Sequence, residues 1–238
     1  RVTVLERLDT LGGRARVHRQ DGFTFDAGPT IVTAPFLFDD LWRLCGRERA
    51  EDVTFRPLEP FYRIRFDDGV SLACGSDPAA MREEVARLSP ADVAGYERFM
   101  AASDRLCTIA FDRLSHRPFG RWTDMAKVVP DLVREGAWRS VHAYVSRFVR
   151  DERLRQALGF HPLLIGGNPF RAPAIYALVP ALERRWGVHW TMGGTGRLVE
   201  GLRGLLEGQG AEIRCGAPVR DILVADGVAR GVRLASGE

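Results

Sequence analysis

The sequence predicts an α/β protein in which one sheet-containing domain is assembled from both ends of the chain, with a mainly helical segment inserted between them. Three observations predict it. Short β-type runs separated by Gly-containing turns fill the N-terminal part, up to Thr30. Three more strand candidates, two of them joined by Asp226-Gly227, fill the stretch after Gly210. Between Asp77 and about Leu158 the apolar residues recur at helical spacing instead. The expected division is 1–60 with 190–238 for the first domain and 61–189 for the insert.

The elements come in order. Arg1 to Glu6 reads as a buried strand, with Val2, Val4 and Leu5 apolar and an acid at its end. Leu11-Gly12-Gly13-Arg14-Ala15 is a turn, and Phe23-Thr24-Phe25 a short strand stopped by Ala27-Gly28-Pro29-Thr30. Pro35 to Gly46 is a helix, with Phe36, Leu37, Leu41 and Leu44 at helical spacing and Gly46 as the stop. Tyr62–Phe66 and Val70–Cys74 pair through Asp67-Asp68-Gly69, a good turn signal. Asp77-Pro78 opens the helical region with Pro at a first helical position. Gly166-Gly167-Asn168-Pro169 interrupts that region, and Ala172 to Arg185 resumes it. Gly193-Gly194-Thr195-Gly196 leads into a helix through Leu206, and the strand candidates Ala211–Cys215, Pro218–Val224 and Val228–Leu234 come after it.

Composition narrows the function. The 238 residues are 45% hydrophobic with a formal charge of +3, too small an excess to argue for nucleic acid. Lys127 is the only lysine, and the arginines are scattered along the chain rather than gathered into a patch. The four cysteines and five histidines are dispersed, which speaks against a disulfide framework or a metal site and suits a reducing compartment. No run of apolar residues is long enough for a membrane span, and no leader is visible in this stretch.

The chemistry is signalled by Glu6 and the glycine turn after it. In a dinucleotide-binding fold, an acid at the end of the second strand holds the ribose hydroxyls, about 20 residues after a Gly-rich phosphate turn. Here that turn would precede residue 1. Gly12 and Gly13 allow the backbone to approach a pyrophosphate, and Arg14 supplies charge-assisted hydrogen bonds. Glu-x4-Leu-Gly-Gly-Arg resembles the signature of flavoproteins of the amine oxidase and phytoene desaturase group. The resemblance implies FAD. It also implies that Glu6, Gly12, Gly13 and Arg14 hold the adenosine-diphosphate half, that Gly28, Pro29 and Thr30 pass close to the flavin, and that Val219 makes a backbone contact to adenine. Gly193-Gly194-Thr195-Gly196 is similar to the segment that returns to the cofactor domain; its glycines read equally well as simple helix-entry residues.

The insert is more specific. Ala137-Trp138-Arg139-Ser140-Val141, the stretch Asp151 to Phe170, and Leu182-Glu183-Arg184-Arg185-Trp186-Gly187-Val188 are similar to the bacterial phytoene desaturases, and the likeness covers essentially the whole chain. Hydroxyneurosporene and diapophytoene desaturases, carotene ketolases and carotene isomerases share parts of it, and a non-catalytic remnant or scaffold is the alternative of another class.

This resemblance implies FAD-dependent removal of two hydrogens from phytoene or a related carotenoid, toward neurosporene or lycopene. Hydride loss beside a polyene leaves a delocalised cation, and the flavin is the hydride acceptor. Quinone or oxygen would then take the electrons. Asp151, Glu152 and Arg155 are the candidate catalytic group, the acids stabilising charge or taking a proton and Arg155 tuning them. The same residues also read as a solvated salt-bridge cluster, because Asp151 and Arg155 stand at i,i+4.

The segment from Phe119 to Val149 is expected to touch a membrane. Trp122, Met125, Val129, Leu132 and Val133 form a stripe beside Arg121, Lys127, Arg134 and Arg139; core packing is the other reading of that stripe. The expected location is cytoplasmic, on the inner face of the cell membrane. The chain itself is expected to be the middle part of a longer enzyme, inactive and without flavin on its own.

Overall fold

A computed structural model describes residues 2–116, 118 and 120–238. Arg1 and Phe119, which open two of the expected segments, and the side chain of Met125 lie outside the described residues. The chain divides into two compact units, Arg1–Pro57 with His189–Glu238, and Leu58–Val188.

Unit one begins with strand β1 (Thr3–Leu5). It is less buried than expected: Val2 and Thr3 are exposed, and Val4 and Leu5 are half-buried. After a 3₁₀ turn at Gly13–Ala15, β2 (Val17–Gln20) and β3 (Phe23–Asp26) form an antiparallel hairpin around Asp21-Gly22, with Val17 opposite Asp26 and Gln20 opposite Phe23. The first arm, Val-His-Arg-Gln, carries too little apolar alternation to be read as a strand, although Asp-Gly is the favoured two-residue hairpin turn. A two-residue strand β4 (Ile31–Val32) leads to helix α1 (Pro35–Leu44).

The buried face of α1 differs from the expected stripe of Phe36, Leu37, Leu41 and Leu44, of which Phe36 is half-buried and the leucines turn outward. Those three leucines are exposed, Leu44 to 85%, whereas Trp42 is fully buried. Its indole N–H donates to Asp52 at 2.7 Å, and Val53 and Leu205 close around it. One large aromatic with a polar handle outweighs three leucines in setting the rotation of the helix. Helix α2 (Arg49–Asp52) and strand β5 (Phe55–Pro57) end this half of the unit.

Unit two opens with the antiparallel pair β6 (Tyr62–Arg65) and β7 (Ser71–Cys74), in register from Tyr62–Cys74 to Arg65–Ser71. Its turn is the expected one, with the Asp68 carboxylate accepting from the Val70 N–H. Helix α3 (Pro78–Leu88) is capped by Asp77, whose carboxylate accepts from the Ala79 N–H at 3.0 Å.

The helix with the most buried residues among those described is α4 (Val93–Cys107), which continues into a π-helical turn at Thr108–Leu114. Around it lie α5 (Trp122–Arg134), α6 (Val141–Val145), α7 (Glu152–Gly159) and α8 (Val179–Trp186), with 3₁₀ turns at His161–Ile165 and Ala174–Leu178. Phe99, Leu106, Tyr144 and Leu154 are the fully enclosed centre of the core. Ser103 of α4 donates to the Ala177 carbonyl and accepts from the Ala181 N–H, so a buried hydroxyl is satisfied on both sides.

The chain then returns to unit one. Strand β8 (His189–Thr191) inserts between β4 and β5 and pairs antiparallel with both. None of these three strands is legible in the sequence, since runs of two or three residues hold no periodic pattern. Helix α9 (Thr195–Gly208) precedes β9 (Glu212–Arg214), which lies parallel to β1 with Thr3 opposite Glu212. The unit closes with the hairpin β10 (Val219–Ala225) and β11 (Val228–Leu234) around Asp226-Gly227.

Candidate cofactor site

Unit one brings the acid-tipped first strand and the C-terminal segment together. The Glu6 N–H donates to the Arg214 carbonyl, the Glu6 carbonyl accepts from Ala217, and the Leu8 carbonyl accepts from Gly216 at 2.7 Å. The chain leaving β1 is thus clamped to the turn that precedes β10. The Glu6 carboxylate is oriented by the Leu8 N–H, 2.8 Å from Oε1.

Beside this clamp lies an open cavity of about 940 Å³, lined by Glu6, Arg7, Gly13, Arg14, Arg16, His18 and Val219 among others. Its size suits a nucleotide-sized ligand. Three arginines and one glutamate are among its lining residues, and Arg7, Arg14 and Arg16 have no ion pair with any described carboxylate. Unpaired guanidiniums at a concave wall suit a diphosphate, which they can bind with charge-assisted, often bidentate hydrogen bonds. Glu6 supplies the acceptor that ribose hydroxyls require. The residues therefore fit an adenine dinucleotide.

Of the expected cofactor residues, Glu6, Gly13, Arg14 and Val219 line this cavity. Gly12 is not among its lining residues and is the left-handed entry to the 3₁₀ turn. Gly28, Pro29 and Thr30 are not among its lining residues. Gly28 has a steric task of its own: a Cβ there would collide with the Arg14 carbonyl, so only glycine lets the chain pass this close to the turn that presents Arg14. The Pro29 carbonyl accepts from Thr195 Oγ1 at 2.5 Å, and Thr30 is exposed.

Gly193-Gly194-Thr195-Gly196 is more than a plain helix entry. Asp26 accepts from the Thr195 N–H at 3.1 Å, which places a carboxylate at the positive N-terminus of α9. Gly194, at φ +81°, leaves room for that carboxylate, and a Cβ on Gly196 would lie 2.6 Å from Val17. The segment docks α9 on the hairpin that leads from the cofactor turn. Sequence reasoning missed Arg7, Arg16 and His18. The last two carried a signal, because residues two apart on an extended segment face the same side.

The candidate catalytic residues occupy unit two. Asp151 is the N-cap of α7, its carboxylate accepting from the Arg153 and Leu154 N–H groups. It also pairs with the Arg153 guanidinium at 3.0 Å. The Asp151–Arg155 bridge expected from i,i+4 spacing is not formed. Arg155 turns to the Val149 carbonyl and, at 3.4 Å, to Glu152. The competing partner is Arg153, which the capping geometry places within reach of Asp151.

The Arg153 guanidinium, helped by the Leu154 and Arg153 N–H groups, holds the Asp151 carboxyl below the usual carboxylate range. A carboxylate so stabilised suits a permanent cap better than a proton acceptor. Geometry supports the structural reading of this cluster. Among the described residues, no group of histidine, cysteine or acidic side chains could hold a metal ion.

An acid-tipped strand in parallel pairing, a Gly-Gly-Arg turn and an arginine-rich cavity suit a dinucleotide-binding protein. The sequence matches the model of the flavin containing amine oxidoreductase family over residues 1–238; the chain belongs to that family, and its cofactor is FAD.

Its relatives are more specific. A phytoene desaturase (neurosporene-forming) of Cereibacter sphaeroides is 45% identical over 238 residues, 100% of this chain and 46% of the relative. A phytoene desaturase (lycopene-forming) of Pseudescherichia vulneris is 44% identical over 98% of this chain and 48% of the relative. The chain spans about half the length of these curated relatives. Among solved structures, a Pyrococcus furiosus protein has a TM-score of 0.62 at 16% identity, covering 99% of this chain and 50% of that one. A putrescine oxidase has a TM-score of 0.60 at 16% identity, covering 99% and 49%. At these identities the structures show a shared fold alone.

Proposed function

We propose that the whole protein desaturates phytoene, or a closely related carotenoid, with FAD, forming neurosporene or lycopene. The observation that carries this reading is the 45% identity to a phytoene desaturase across the full length of the chain, insert included. The cofactor cavity supports it. Glu6 would hold the ribose, and Arg7, Arg14 and Arg16 the diphosphate. FAD supplies the hydride acceptor when bound. The protein's own tasks are then to fix the cofactor, to orient a hydrocarbon without polar handles, and to keep water away from the reacting carbons.

A related carotenoid oxidoreductase is the second reading. A 4,4'-diapophytoene desaturase (4,4'-diapolycopene-forming) of Methylomonas is 27% identical over 100% of this chain and 46% of its own length. One experiment separates them. The full-length protein is incubated with FAD and liposomes carrying either phytoene or diapophytoene, and absorbance is followed. Longer-wavelength polyene bands from phytoene support the desaturase. Product from the shorter substrate alone favours the second reading, and no product from either overturns the desaturase reading.

A water-insoluble substrate has to be collected from lipid, so we also infer contact with a membrane surface, the inner face of the cell membrane. Helix α5 supports this. Trp122, Val129 and Val133 are exposed, Trp122 to 81%, while Val128 is buried and Leu132 packs on the core. Arg121, Lys127 and Arg134 are also exposed. An apolar outer stripe with basic neighbours is the pattern of a helix lying at an anionic interface. No described helix is long and apolar enough to cross a membrane. Quinone or oxygen, both able to reoxidise a reduced flavin, are the electron acceptors proposed.

A further inference from the structure

Unit two contains a buried polar cluster that the cofactor reading does not use. Glu183 of α8 and His161, in the 3₁₀ turn after α7, have side chains only 4% and 3% exposed. The Tyr62 hydroxyl of β6 donates to Glu183 Oε2 at 2.8 Å. His161 Nε2 lies 3.4 Å from the same oxygen and 3.3 Å from the Tyr62 hydroxyl. Burial first, and then the Glu183 charge, push the Cys74 thiol beside this cluster up to about 12, so it stays protonated. The Tyr62 hydroxyl is raised above its ordinary range for the same reasons and remains a donor.

One side of each buried group is unanswered. Glu183 Oε1 and His161 Nδ1 are buried and have no hydrogen-bond partner. Native proteins rarely leave such atoms unsatisfied, because the loss of hydration is then uncompensated. Both residues line a cavity of about 40 Å³, whose walls are otherwise largely apolar, with Leu72, Met81, Val85 and Leu154 among them. Arg184 also reaches the cavity, but its guanidinium is engaged by Asp104. The space exceeds the roughly 10–15 Å³ that one water requires, and it is far too small for an organic ligand.

The chemistry of the two atoms selects the occupant. Glu183 Oε1 is an acceptor and needs a donor. His161 Nδ1 is a donor or an acceptor according to its tautomer. Nε2 is set against a carboxylate oxygen and a hydroxyl whose proton goes to Glu183, so Nε2 carries the proton and Nδ1, like Glu183 Oε1, is an acceptor. The occupant must donate to both: a halide cannot, water can, and a bound cation is the competing occupant that the test excludes.

We propose that this cavity is an internal hydration site, in which an ordered water donates to Glu183 Oε1 and completes the hydrogen bonding of His161 Nδ1. The Tyr62–Glu183–His161–water network then pins the β6–β7 hairpin to the segments around α7 and α8. The proposal does not depend on the catalytic reading of the protein.

The test is a crystal structure of the full-length protein, at a resolution that shows individual waters, together with two variants. The expected result is a single peak within hydrogen-bond distance of both Glu183 Oε1 and His161 Nδ1. It should persist in Glu183→Gln, whose amide still offers a polar partner, and vanish in Glu183→Met with a lowered Tm. An empty cavity in the wild type overturns the proposal. So does an anomalous-scattering peak from an ion, or a peak that survives unchanged in Glu183→Met. If Glu183→Met does not fold, the wild-type and Glu183→Gln maps decide alone.

Discussion

The Glu6 carboxylate is held by one backbone N–H and lines the cofactor cavity, so its removal should act on binding rather than on folding. In the full-length protein, Glu6→Ala is expected to weaken FAD binding by about 1.5–3 kcal/mol, the range for hydrogen bonds to a charged group. Arg16→Gln is expected to act in the same direction and less, since Arg7 and Arg14 remain. Flavin fluorescence titration of the apoprotein measures both; equal affinity of wild type and Glu6→Ala would remove the assignment. Gly28→Val is expected to weaken FAD binding although Gly28 is not itself a lining residue, because its side chain must displace the Arg14 carbonyl. Gly204→Ala, where a Cβ meets nothing, is the neutral comparison.

Asp92 gives a pH prediction. Burial alone would raise its carboxyl, but the Asp151 and Arg150 N–H groups and the Ser89 hydroxyl together outweigh burial and hold it below the usual range. Its folded value therefore lies below its unfolded one. The stabilisation is fully present above the unfolded value and is lost as pH falls through the folded one. Denaturant midpoints measured from neutral to about pH 3 should fall less steeply for Asp92→Asn than for wild type.

At the scale of elements, α1 and α5 both carry apolar residues on two faces, and the packing decides which face is core. In α1 the core side is Trp42: Trp42→Ala is expected to cost about 3–5 kcal/mol. Leu44→Asp is expected to stay within about 0.5 kcal/mol, since Leu44 is exposed. Urea titration compares them.

In α5 the outer stripe is the proposed lipid contact. Trp122→Asp combined with Val133→Asp should abolish co-sedimentation with anionic liposomes while leaving the thermal midpoint almost unchanged. Undiminished co-sedimentation would assign the stripe another role. Leu132, which the sequence placed in the same stripe, belongs to the core, so Leu132→Asp should destabilise the protein and cannot report on lipid contact.

At the scale of the whole molecule, unit two is one continuous stretch with its own core, and unit one is made from two distant stretches. A segment that buries its own core can fold alone. Residues 58–188 expressed by themselves are expected to melt cooperatively by circular dichroism, with the near-ultraviolet signal of their buried tyrosines lost in the same transition. A gradual, non-cooperative melt would show that this stretch needs the rest of the chain.

What the sequence determined by itself is whatever neighbouring residues decide. The Asp67-Asp68-Gly69 and Asp226-Gly227 hairpin turns, the Asp77-Pro78 helix start and the Glu6–Gly13–Arg14 group all rest on residues a few positions apart, where turn geometry and capping are local physics. The tertiary structure alone decided the partners of short or irregular segments. His189–Thr191 becomes a strand only because β4 and β5 offer it free edges. Arg16 and His18 become cavity residues because the start of the β2 hairpin carries them past the Glu6 turn. Glu183 meets Tyr62 across 121 positions. No periodicity within a segment encodes such pairings; they are set when the chain closes and buried polar groups must find whatever partners the packing brings within reach.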